Sequence, residues 1–411
     1  MSEVDANKMI LPLKGIRVLD LTHRLAGPTM TMLMGDWGAD VIKLEWWKRM
    51  DAWRGVISVD HDVNGQEIYN KGRKWLNLNR NKRSLTLNLK TERGKQIFID
   101  IAKQIDVVAD NFSANVLDRL GLGYEVLSEI NPGITMISMP GLGNYGPHAH
   151  FVSNGATIEG YAGLASMTGY KGGPPRNSVG IWPDPVAGVH GAIAVAMALV
   201  NRQRTGRGQH IELAQSEATM NMIGDAILDF TANGTIRKPE GNSSNRHAPH
   251  GVYRCKGNDQ WISIVVTSQN EWSAFRAVAG DAISLAEDRF ALEKRRLENA
   301  SQLDELIESW TESQDVWELS ERLQQAGIDA APVTSGDDFG SRPGLPIRDF
   351  VVPFDYEFLK EYSGSAARLD GQTPPIRLGP PRLGEHTAEI LTELLQLSGD
   401  ELSSLSADGI I

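Results

Sequence analysis

Short apolar strands alternate with amphipathic helices through the first third of the chain. Ile16–Leu21 (IRVLDL) predicts a strand, Thr29–Trp37 a helix and Asp40–Leu44 a second strand. Strand, turn, helix and strand at this spacing are typical of a parallel, doubly wound sheet, because parallel strands need a crossover connection. The pattern recurs and predicts strands at Ser84–Leu89, Asp106–Ala109 and Thr135–Met139, and helices at Glu92–Gln104, Val116–Leu120 and Tyr124–Ile130.

The second half of the chain is more helical. Pro185–Arg202 is apolar on nearly all sides, which predicts a buried helix. Asn233–Pro249 is rich in Gly, Ser, Asn and Pro and is typical of a linker. Ser335–Pro381 has little periodicity and predicts a loop-rich segment, and a last helix at Thr387–Leu397 is expected to end the chain. The remaining predictions are strands at His210–Leu213, Gly251–Arg254, Gln260–Val266 and Ala330–Val333, and helices at Glu217–Thr231, Glu271–Ala279, Ser301–Ser313 and Val316–Gln325.

These elements predict an α/β fold with two domains. A large Rossmann-like domain with a parallel sheet is expected over residues 1–232, followed by a linker over 233–250. A smaller α+β domain is expected over 251–335. Residues 336–411 are predicted to link back and return to the large domain.

Composition narrows the class of protein. A chain of 411 residues is long enough for two or three domains, and 41% hydrophobic residues exclude a disordered chain. The net charge of −11 argues against nucleic-acid binding. A single cysteine, Cys255, fits a reducing compartment, and the first residues lack the apolar run of a signal peptide. The longest apolar stretch, Gly191–Val200, is too short to span a bilayer. We therefore predict a cytoplasmic protein with no membrane or nucleic-acid partner.

Several common catalytic and cofactor motifs do not fit. Gly141–Gly146 matches G-x-G-x-x-G, but Pro147 and a non-periodic segment follow instead of the helix that a dinucleotide site needs. The close histidine pairs lack further metal ligands at a suitable spacing, so no metal site is predicted. There is no G-x-S-x-G nucleophile elbow.

Two segments remain as candidates for chemistry. The basic run Asn79–Arg83, extended by Lys90, is either a solvated edge or a place to hold phosphates. Asp184 precedes Pro185 and the apolar helix, so it fits a helix N-cap followed by proline at the first helical position. The helix dipole would keep a carboxylate there ionised, which also suits a nucleophile. Local sequence leaves both roles open.

Six segments, in order along nearly the whole chain, resemble the class III CoA-transferase family, which includes formyl-CoA and carnitine CoA-transferases. The blocks that contain Ala26-Gly27-Pro28 and Asn79–Ser84 are specific together, although each alone would be weak. The six segments are Leu13–Pro28, Gly38–Glu45, Asn79–Lys90, Asp110–Leu122, Thr205–Gln209 and Leu383–Thr387.

The resemblance implies an activity and a set of residues. Members of the family move CoA from an acyl-CoA thioester to a carboxylic acid through an aspartyl-CoA thioester, and Asp184 matches their nucleophile. CoA is then a substrate, and no permanently bound cofactor is expected. The residues that match the CoA-binding positions of the family are Leu87, Lys90, Asn111, Phe112 and Arg119.

The chain departs from the formyl-CoA transferases at two places. Leu25 stands where they have a glutamine, and Asn242–Pro249 replaces their glycine-rich loop. Succinyl-CoA is the donor that we expect from the family. Trp46, Trp47 and Trp53, with Leu25, suggest an apolar or aromatic acceptor acid.

Two alternatives stay open. The α-methylacyl-CoA racemases of the same family have a His-Asp pair upstream of the shared aspartate, whereas Phe151–Gly160 contains no histidine here and only a loop shift would bring in His148 or His150. A non-catalytic, CoA-binding subunit of a heteromeric transferase is the second alternative. Because family members are interlocked dimers, we expect an interlocked homodimer, with a heteromer of paralogous chains as its alternative.

Overall fold

The computed structural model describes residues 11–55, 65, 67–178, 180–280, 284–285, 287–336, 338–341, 350–356 and 359–411. Residues 1–10, where we expected no signal peptide, and parts of the predicted 336–411 segment lie outside the described residues. The chain forms two compact units. The first consists of Met1–Ala165, Asn177–Ile236 and Arg348–Ile411, and the second of Ser166–Arg176 and Arg237–Ile347.

A six-stranded parallel sheet forms the centre of the first unit. Its order is β3-β2-β1-β4-β5-β6, and every neighbouring pair is parallel. This is the strand order of the Rossmann fold, so the predicted α/β class is confirmed. The strands are β1 Arg17–Asp20, β2 Asp40–Glu45, β3 Lys82–Thr86, β4 Val107–Asp110, β5 Thr135–Ser138 and β6 His210–Glu212.

Helices connect these strands and cover both faces of the sheet. Single-turn 3₁₀ helices lie at Ala52–Arg54, Ile68–Asn70 and Asn221–Ile223. The helices up to β6 are α1 Ala26–Asp36, α2 Arg73–Leu78, α3 Glu92–Ala102, α4 Val116–Arg119, α5 Tyr124–Ile130, α6 Gly155–Tyr161, α7 Leu164–Met167 and α8 Pro183–Thr205. After β6 come α9 Gln215–Met220 and α10 Gly224–Asn233.

Alternation along the strands divides the core into two layers. Val18 and Leu19 are both fully buried but point to opposite faces, because successive strand side chains alternate. Leu19 belongs to a cluster with Phe98 of α3, whereas Val18 belongs to a cluster with Met30 of α1 and Val195 of α8. The helices α1 and α8 therefore lie together on the face of the sheet to which Val18 points.

Glycines allow α8 to approach α1 closely. A Cβ at Gly188 would lie 2.7 Å from the carbonyl oxygen of Ala26, and one at Gly191 would lie 2.8 Å from the sulfur of Met30. By length and composition, α8 is the one helix among the described residues that could cross a membrane. Only one face of α8 packs on α1, because Ile193 and Met197 are 55% and 62% exposed, so the prediction of a buried helix holds for that face alone. The prediction of no membrane partner stays a prediction.

The second unit contains a three-stranded antiparallel sheet in the order β7-β8-β9. Trp272, Phe275 and Ile264 are fully buried in its core. Its strands are β7 His250–Arg254, β8 Trp261–Val265 and β9 Asp329–Pro332, and its helices are α11 Gln269–Ala279, α12 Glu293–Glu298, α13 Ala300–Thr311, α14 Val316–Gln325 and α15 Asp338–Ser341, with a 3₁₀ turn at Asp288–Phe290.

Two predicted elements are wrong, and one strand pair was not predicted. Within the segment Ser335–Pro381, predicted to be loop-rich, β10 Val351–Tyr356 pairs with β11 Leu359–Ser363. The predicted helix Glu217–Thr231 is divided between α9 and α10 by a 3₁₀ turn. The last predicted helix does not end the chain: α16 Thr387–Leu395 is followed by α17 Gly399–Ala407.

Candidate active site

The order of the sheet reverses between β1 and β4, and two predicted site residues lie at this point. In open α/β sheets, ligands bind beyond the carboxyl ends of the strands where the order reverses. The backbone N–H of His23, after β1, donates to Asn111 Oδ1 at 2.7 Å, and Asn111 Nδ2 donates to the His23 carbonyl at 2.8 Å. Phe112 packs on the His23 ring with a centroid distance of 5.6 Å. Asn111 and Phe112 therefore hold the turn that follows β1.

Buried ionic side chains fix the path of the same turn. Lys43 is fully buried; its Nζ lies 3.8 Å from Asp20 and 3.9 Å from Asp51, and it donates to the carbonyl of Thr22. Asp20 accepts the backbone N–H of Thr22 at 2.8 Å. Asp51 accepts the backbone N–H of Arg24 at 2.9 Å. Because a buried charge without its partner is costly, this network holds the turn in one conformation.

Asp184 lies where three helices begin. It is in the first turn of α8, and the backbone N–H of Ala26, the first residue of α1, favours the ionised form of its carboxyl. Gly155, the first residue of α6, faces the same group: a Cβ there would lie 2.0 Å from Asp184 Oδ2. The residue that matches the family's nucleophile is thus enclosed by backbone, and the N-termini of α1 and α8 favour its negative charge.

One of our two expectations about Asp184 is wrong. The N-cap of α8 is Trp182, so Asp184 is a helical residue and not the cap. Its charge depends on burial as well as on the helix end. Burial raises the pKa of Asp184 to about 6, although the Ala26 N–H and the charge of Arg24 act in the opposite direction. The carboxyl is therefore poorly solvated and titrates near neutrality, which suits a nucleophile.

The predicted CoA-binding residues after β3 differ in accessibility. Leu87 is buried in the core, and its backbone N–H donates to the carbonyl of Glu45 at 2.8 Å. Lys90 is exposed, and its Nζ lies 5.7 Å from the ring centroid of Trp46, which follows β2. Both residues follow β3 at the carboxyl edge of the sheet, where Lys90 offers an exposed cation and Leu87 offers structural support.

The loops after β4 and β5 are tied together at this edge. Arg119 is exposed and donates through Nη1 to the carbonyl of Ala114 at 2.7 Å. Asn115 donates through its backbone N–H and its side chain to Asn144, at 3.2 and 3.1 Å. Asn144 belongs to the motif Gly141–Gly146, and the next helix after that motif begins only at Gly155. The glycine motif therefore shapes a loop at the sheet edge and does not open a dinucleotide-binding helix.

The phosphate interpretation of the basic run Asn79–Arg83 does not fit the structure. Arg80 and Lys82 are buried, and the three cations of the run that the structure pairs all bind aspartates within the first unit. These pairs are Arg80 with Asp36 at 2.7 Å, Lys82 with Asp20 at 3.0 Å and Arg83 with Asp40 at 2.6 Å.

None of the histidines that the structure describes forms a hydrogen bond or ion pair with Asp184. His148 is hydrogen-bonded to Tyr161, the last residue of α6, at 2.8 Å. Gly155 contacts Asp184 at the other end of α6, about 9 Å away along the helix axis at a rise of about 1.5 Å per residue. The arrangement gives no support to the loop shift that the racemase alternative requires.

Among the described residues, the structure offers neither a reactive thiol nor a group of metal ligands. Cys255 is buried just after β7, and burial raises the pKa of its thiol to about 11, so the thiol stays protonated at neutral pH. Within the described part of the chain, no three His, Cys, Asp or Glu residues are grouped as metal ligands.

Sequence reasoning missed the residues that place the nucleophile. Gly155 and Ala26 act through backbone positions, which leave no local chemical signal. Lys43 and Asp20 did leave one: each is a charged residue within an apolar strand, and such a residue needs a buried partner.

Comparisons with known proteins identify the family of the chain. The family model described as CoA-transferase family III matches residues 13–387. A formyl-CoA:oxalate CoA-transferase from Streptomyces avermitilis is 30% identical over 98% of this chain and 100% of its own length. A succinyl-CoA–L-malate CoA-transferase beta subunit from Chloroflexus aurantiacus is 30% identical over 99% of this chain and 100% of its own length.

A solved structure shows the same fold. A CAIB/BAIF family protein from Brucella suis has a TM-score of 0.82 and 27% identity, and the match covers 94% of this chain and 100% of that one. The resemblance found in the sequence is thereby confirmed: the chain is an enzyme that belongs to CoA-transferase family III.

Proposed function

We propose that this enzyme transfers CoA from an acyl-CoA donor to a carboxylic acid with Asp184 as the covalent nucleophile. The Asp184 carboxylate attacks the donor thioester carbonyl, the C–S bond breaks, and CoA thiolate leaves behind a mixed acyl-aspartyl anhydride. The thiolate then attacks the aspartyl carbonyl and releases the donor acid as a carboxylate. Asp184 is left as an aspartyl-CoA thioester.

The second half of the reaction repeats these steps in reverse. The acceptor carboxylate attacks the aspartyl thioester, and CoA thiolate leaves behind a new mixed anhydride. The thiolate then attacks the acyl carbonyl of the acceptor, which releases the new acyl-CoA and restores the Asp184 carboxylate. CoA thioesters are substrates in this scheme, and no permanently bound cofactor takes part.

The observation that carries the proposal is the environment of Asp184. Its carboxylate is partly buried at the N-termini of α1 and α8, with Gly155 against it and no bulky side chain at that position. The turn that contributes Ala26 also contains His23, which binds Asn111. One turn thus connects the nucleophile with the carboxyl edge at which we propose that Lys90, Asn111, Phe112 and Arg119 hold CoA, with Leu87 beneath them.

Trapping of the intermediate tests the proposal. Enzyme mixed with a donor thioester alone should accumulate an acyl or CoA adduct, which hydroxylamine or borohydride should fix on the peptide that contains Asp184. Asp184→Asn should fold and form no adduct. Asp400→Asn, which changes an exposed aspartate in the first turn of α17, is the matched control and should react like the wild type. An active Asp184→Asn variant would contradict the mechanism.

A second measurement separates transfer from racemisation. The enzyme is incubated with a chiral 2-methylacyl-CoA in deuterated water. We expect the α-proton to stay in place, since no histidine among the described residues forms a hydrogen bond or ion pair with Asp184. Wash-in of deuterium at the α-carbon would favour the racemase alternative.

The state of assembly and the substrates are part of the proposal. We propose a cytoplasmic homodimer with succinyl-CoA as donor, and two similar proteins from Chloroflexus aurantiacus are named as succinyl-CoA transferases. One of them is named as a beta subunit, which favours a heteromer as the alternative. Activity of this chain purified alone would exclude a non-catalytic role, whereas activity only with a paralogous chain would support the heteromer.

A further inference from the structure

Arg24 offers an unpaired cation beside the nucleophile. Its side chain is exposed, and its guanidinium makes no hydrogen bond or ion pair with any residue that the structure describes. It lies in the turn between His23, which binds Asn111, and Ala26, whose backbone N–H favours the ionised form of Asp184. Its position in the chain therefore places it between the CoA edge and the carboxylate.

The backbone of Arg24 is held in an unfavourable conformation. Its φ of 65° lies in the left-handed region, which costs a residue with a side chain on the order of 1 kcal/mol. The buried carboxylate of Asp51 accepts its N–H at 2.9 Å and keeps it there. Strained residues that persist in this way are concentrated at ligand-binding and catalytic sites.

Arg24 interacts electrostatically with Asp184 but does not form an ion pair with it. The guanidinium lowers the pKa of Asp184, yet the two groups form no ion pair within 4.0 Å. A guanidinium prefers to bind a carboxylate through two parallel hydrogen bonds. Arg24 is thus near the reacting group and still free to bind a carboxylate from a substrate.

Cations accompany the tryptophans from which the sequence suggested an apolar or aromatic acceptor acid. Each of these three tryptophans has a lysine ammonium over its ring. These pairs are Trp46 with Lys90 at 5.7 Å, Trp47 with Lys48 at 4.6 Å and Trp53 with Lys74 at 4.7 Å. This arrangement favours anionic ligands.

We propose that Arg24 binds the second, non-reacting carboxylate of a dicarboxylic acid substrate. This inference rests on the proposed function, in which the donor acid leaves and the acceptor acid enters at the same aspartyl carbonyl. One cation beside Asp184 would then serve both acids. The non-reacting carboxylate is the better partner, because an ion pair to the attacking oxygen would make it less nucleophilic.

Two thioesters of equal chain length test this role. The rate of adduct formation on Asp184 is measured in single turnover with succinyl-CoA and with butyryl-CoA, which lacks the second carboxylate. The wild type should prefer succinyl-CoA. Arg24→Gln should reduce the ratio of the two rates about tenfold or more, since a charge-assisted pair is lost, and Arg24→Lys should keep part of the preference.

A control variant and the rates with the two thioesters distinguish failure of the Arg24 role from failure of the proposed function. Arg204→Gln removes an exposed arginine from the last turn of α8, about 30 Å along the helix from Asp184, and should leave the ratio unchanged. An unchanged ratio in Arg24→Gln, or a wild type that does not prefer succinyl-CoA, would overturn the role of Arg24 while the transferase stands. Absence of any adduct with either thioester would instead refute the proposed function, and this inference with it.

Discussion

The carboxyl of Asp184 is subject to opposed influences. Burial favours its protonated form, whereas the N–H of Ala26 and the charge of Arg24 favour its ionised form, and burial is the larger effect. The pKa is therefore raised to about 6. At neutral pH most of the population is ionised, yet the carboxylate lacks the full hydration that would weaken it as a nucleophile.

This pKa predicts how the first chemical step depends on pH. Only the ionised carboxyl attacks, so the rate of adduct formation on Asp184 should rise with pH, reach half its maximum near pH 6 and level off above about pH 7. The measurement is single-turnover mass spectrometry between about pH 5 and 8. A rate that is already maximal at the acid end of this range would contradict a raised pKa.

The raised pKa of Asp184 also affects stability: the rate of adduct formation rises with pH, whereas the contribution of Asp184 to stability falls. The folded state holds the Asp184 proton more tightly than the unfolded state, whose pKa is near 3.8. The contribution of Asp184 to the free energy of unfolding should thus fall as the pH rises from about 4 to 6. The Asp184→Asn variant lacks this titration, so its stability relative to the wild type should increase over that interval in chemical denaturation.

Lys90 permits a third prediction at the scale of the residue. Its exposed ammonium lies over Trp46 at the carboxyl edge of the sheet. If it binds CoA phosphates, Lys90→Ala should weaken the binding of a CoA ester by about 1.5 to 3 kcal/mol and reduce its dependence on salt. Calorimetric titration at two ionic strengths measures both effects.

Lys103 provides the control for Lys90. It follows α3 at the opposite, amino edge of the sheet and pairs with Asp100 at 2.7 Å. Lys103→Ala should leave CoA affinity and its salt dependence as in the wild type. Equal losses in both variants would mean that overall charge, and not a phosphate site, controls binding.

The sequence distance between interacting side chains explains why the roles of some residues could be predicted and those of others could not. The cations Arg80 and Lys82 looked available because their partners Asp36 and Asp20 lie 44 and 62 residues earlier. The sequence of a basic run does not show which distant carboxylates will pair with its cations in the folded chain. Asp184 is different: the resemblance identified its position, but the exact start of the helix, which decided against an N-cap, depends on a boundary that sequence patterns define poorly.

At the scale of elements, three helix N-termini enclose the nucleophile, and the first residue of α6 lies directly against it. Gly155 begins α6, where a Cβ would lie 1.8 Å from Ile181 Cγ2 and 2.0 Å from Asp184 Oδ2. Gly155→Ala should therefore displace Asp184 or the start of α6. We expect CoA transfer to fall by at least about tenfold, which corresponds to roughly 1.4 kcal/mol in the barrier. Steady-state kinetics measures the loss.

The same helix contains the matched control for Gly155→Ala. Gly160 is exposed in α6, and a Cβ there would have no atom within 4 Å. Gly160→Ala should keep full activity and increase stability by up to about 1 kcal/mol, because alanine favours the helix. Similar activity in the two variants would show that the contact between α6 and Asp184 is not needed.

Elements with a strong local pattern were predictable, and those with mixed signals were not. Apolar runs such as Val107–Asp110 form strands almost where expected. The hairpin β10–β11 was missed because Pro353 and Asp355 interrupt the alternation of its first strand, and its register shifts between Pro353 and Tyr356. The helix α17 did carry a signal in the sequence, the capping box between Ser398 and Glu401, which apolar periodicity alone does not detect.

At the scale of the whole molecule, two helices of the first unit expose large apolar side chains. Ile193 and Met197 of α8 are 55% and 62% exposed, and Leu228 and Phe230 of α10 are 67% and 57% exposed. Where such side chains form a large patch, the patch marks an interaction surface. They support the proposal that the chain functions as a dimer.

The kind of dimer can be tested by subunit exchange. If the two chains are interlocked, as the resemblance implies, they cannot separate without unfolding of at least one chain. Tagged and untagged dimers, each purified separately, should then form no mixed dimers when they are diluted and incubated together, whereas mixing after unfolding and refolding should yield them. Native mass spectrometry counts the species. A dimer held only by an apolar surface would exchange on dilution, and exchange under native conditions would therefore contradict interlocking while leaving the proposed chemistry of Asp184 intact.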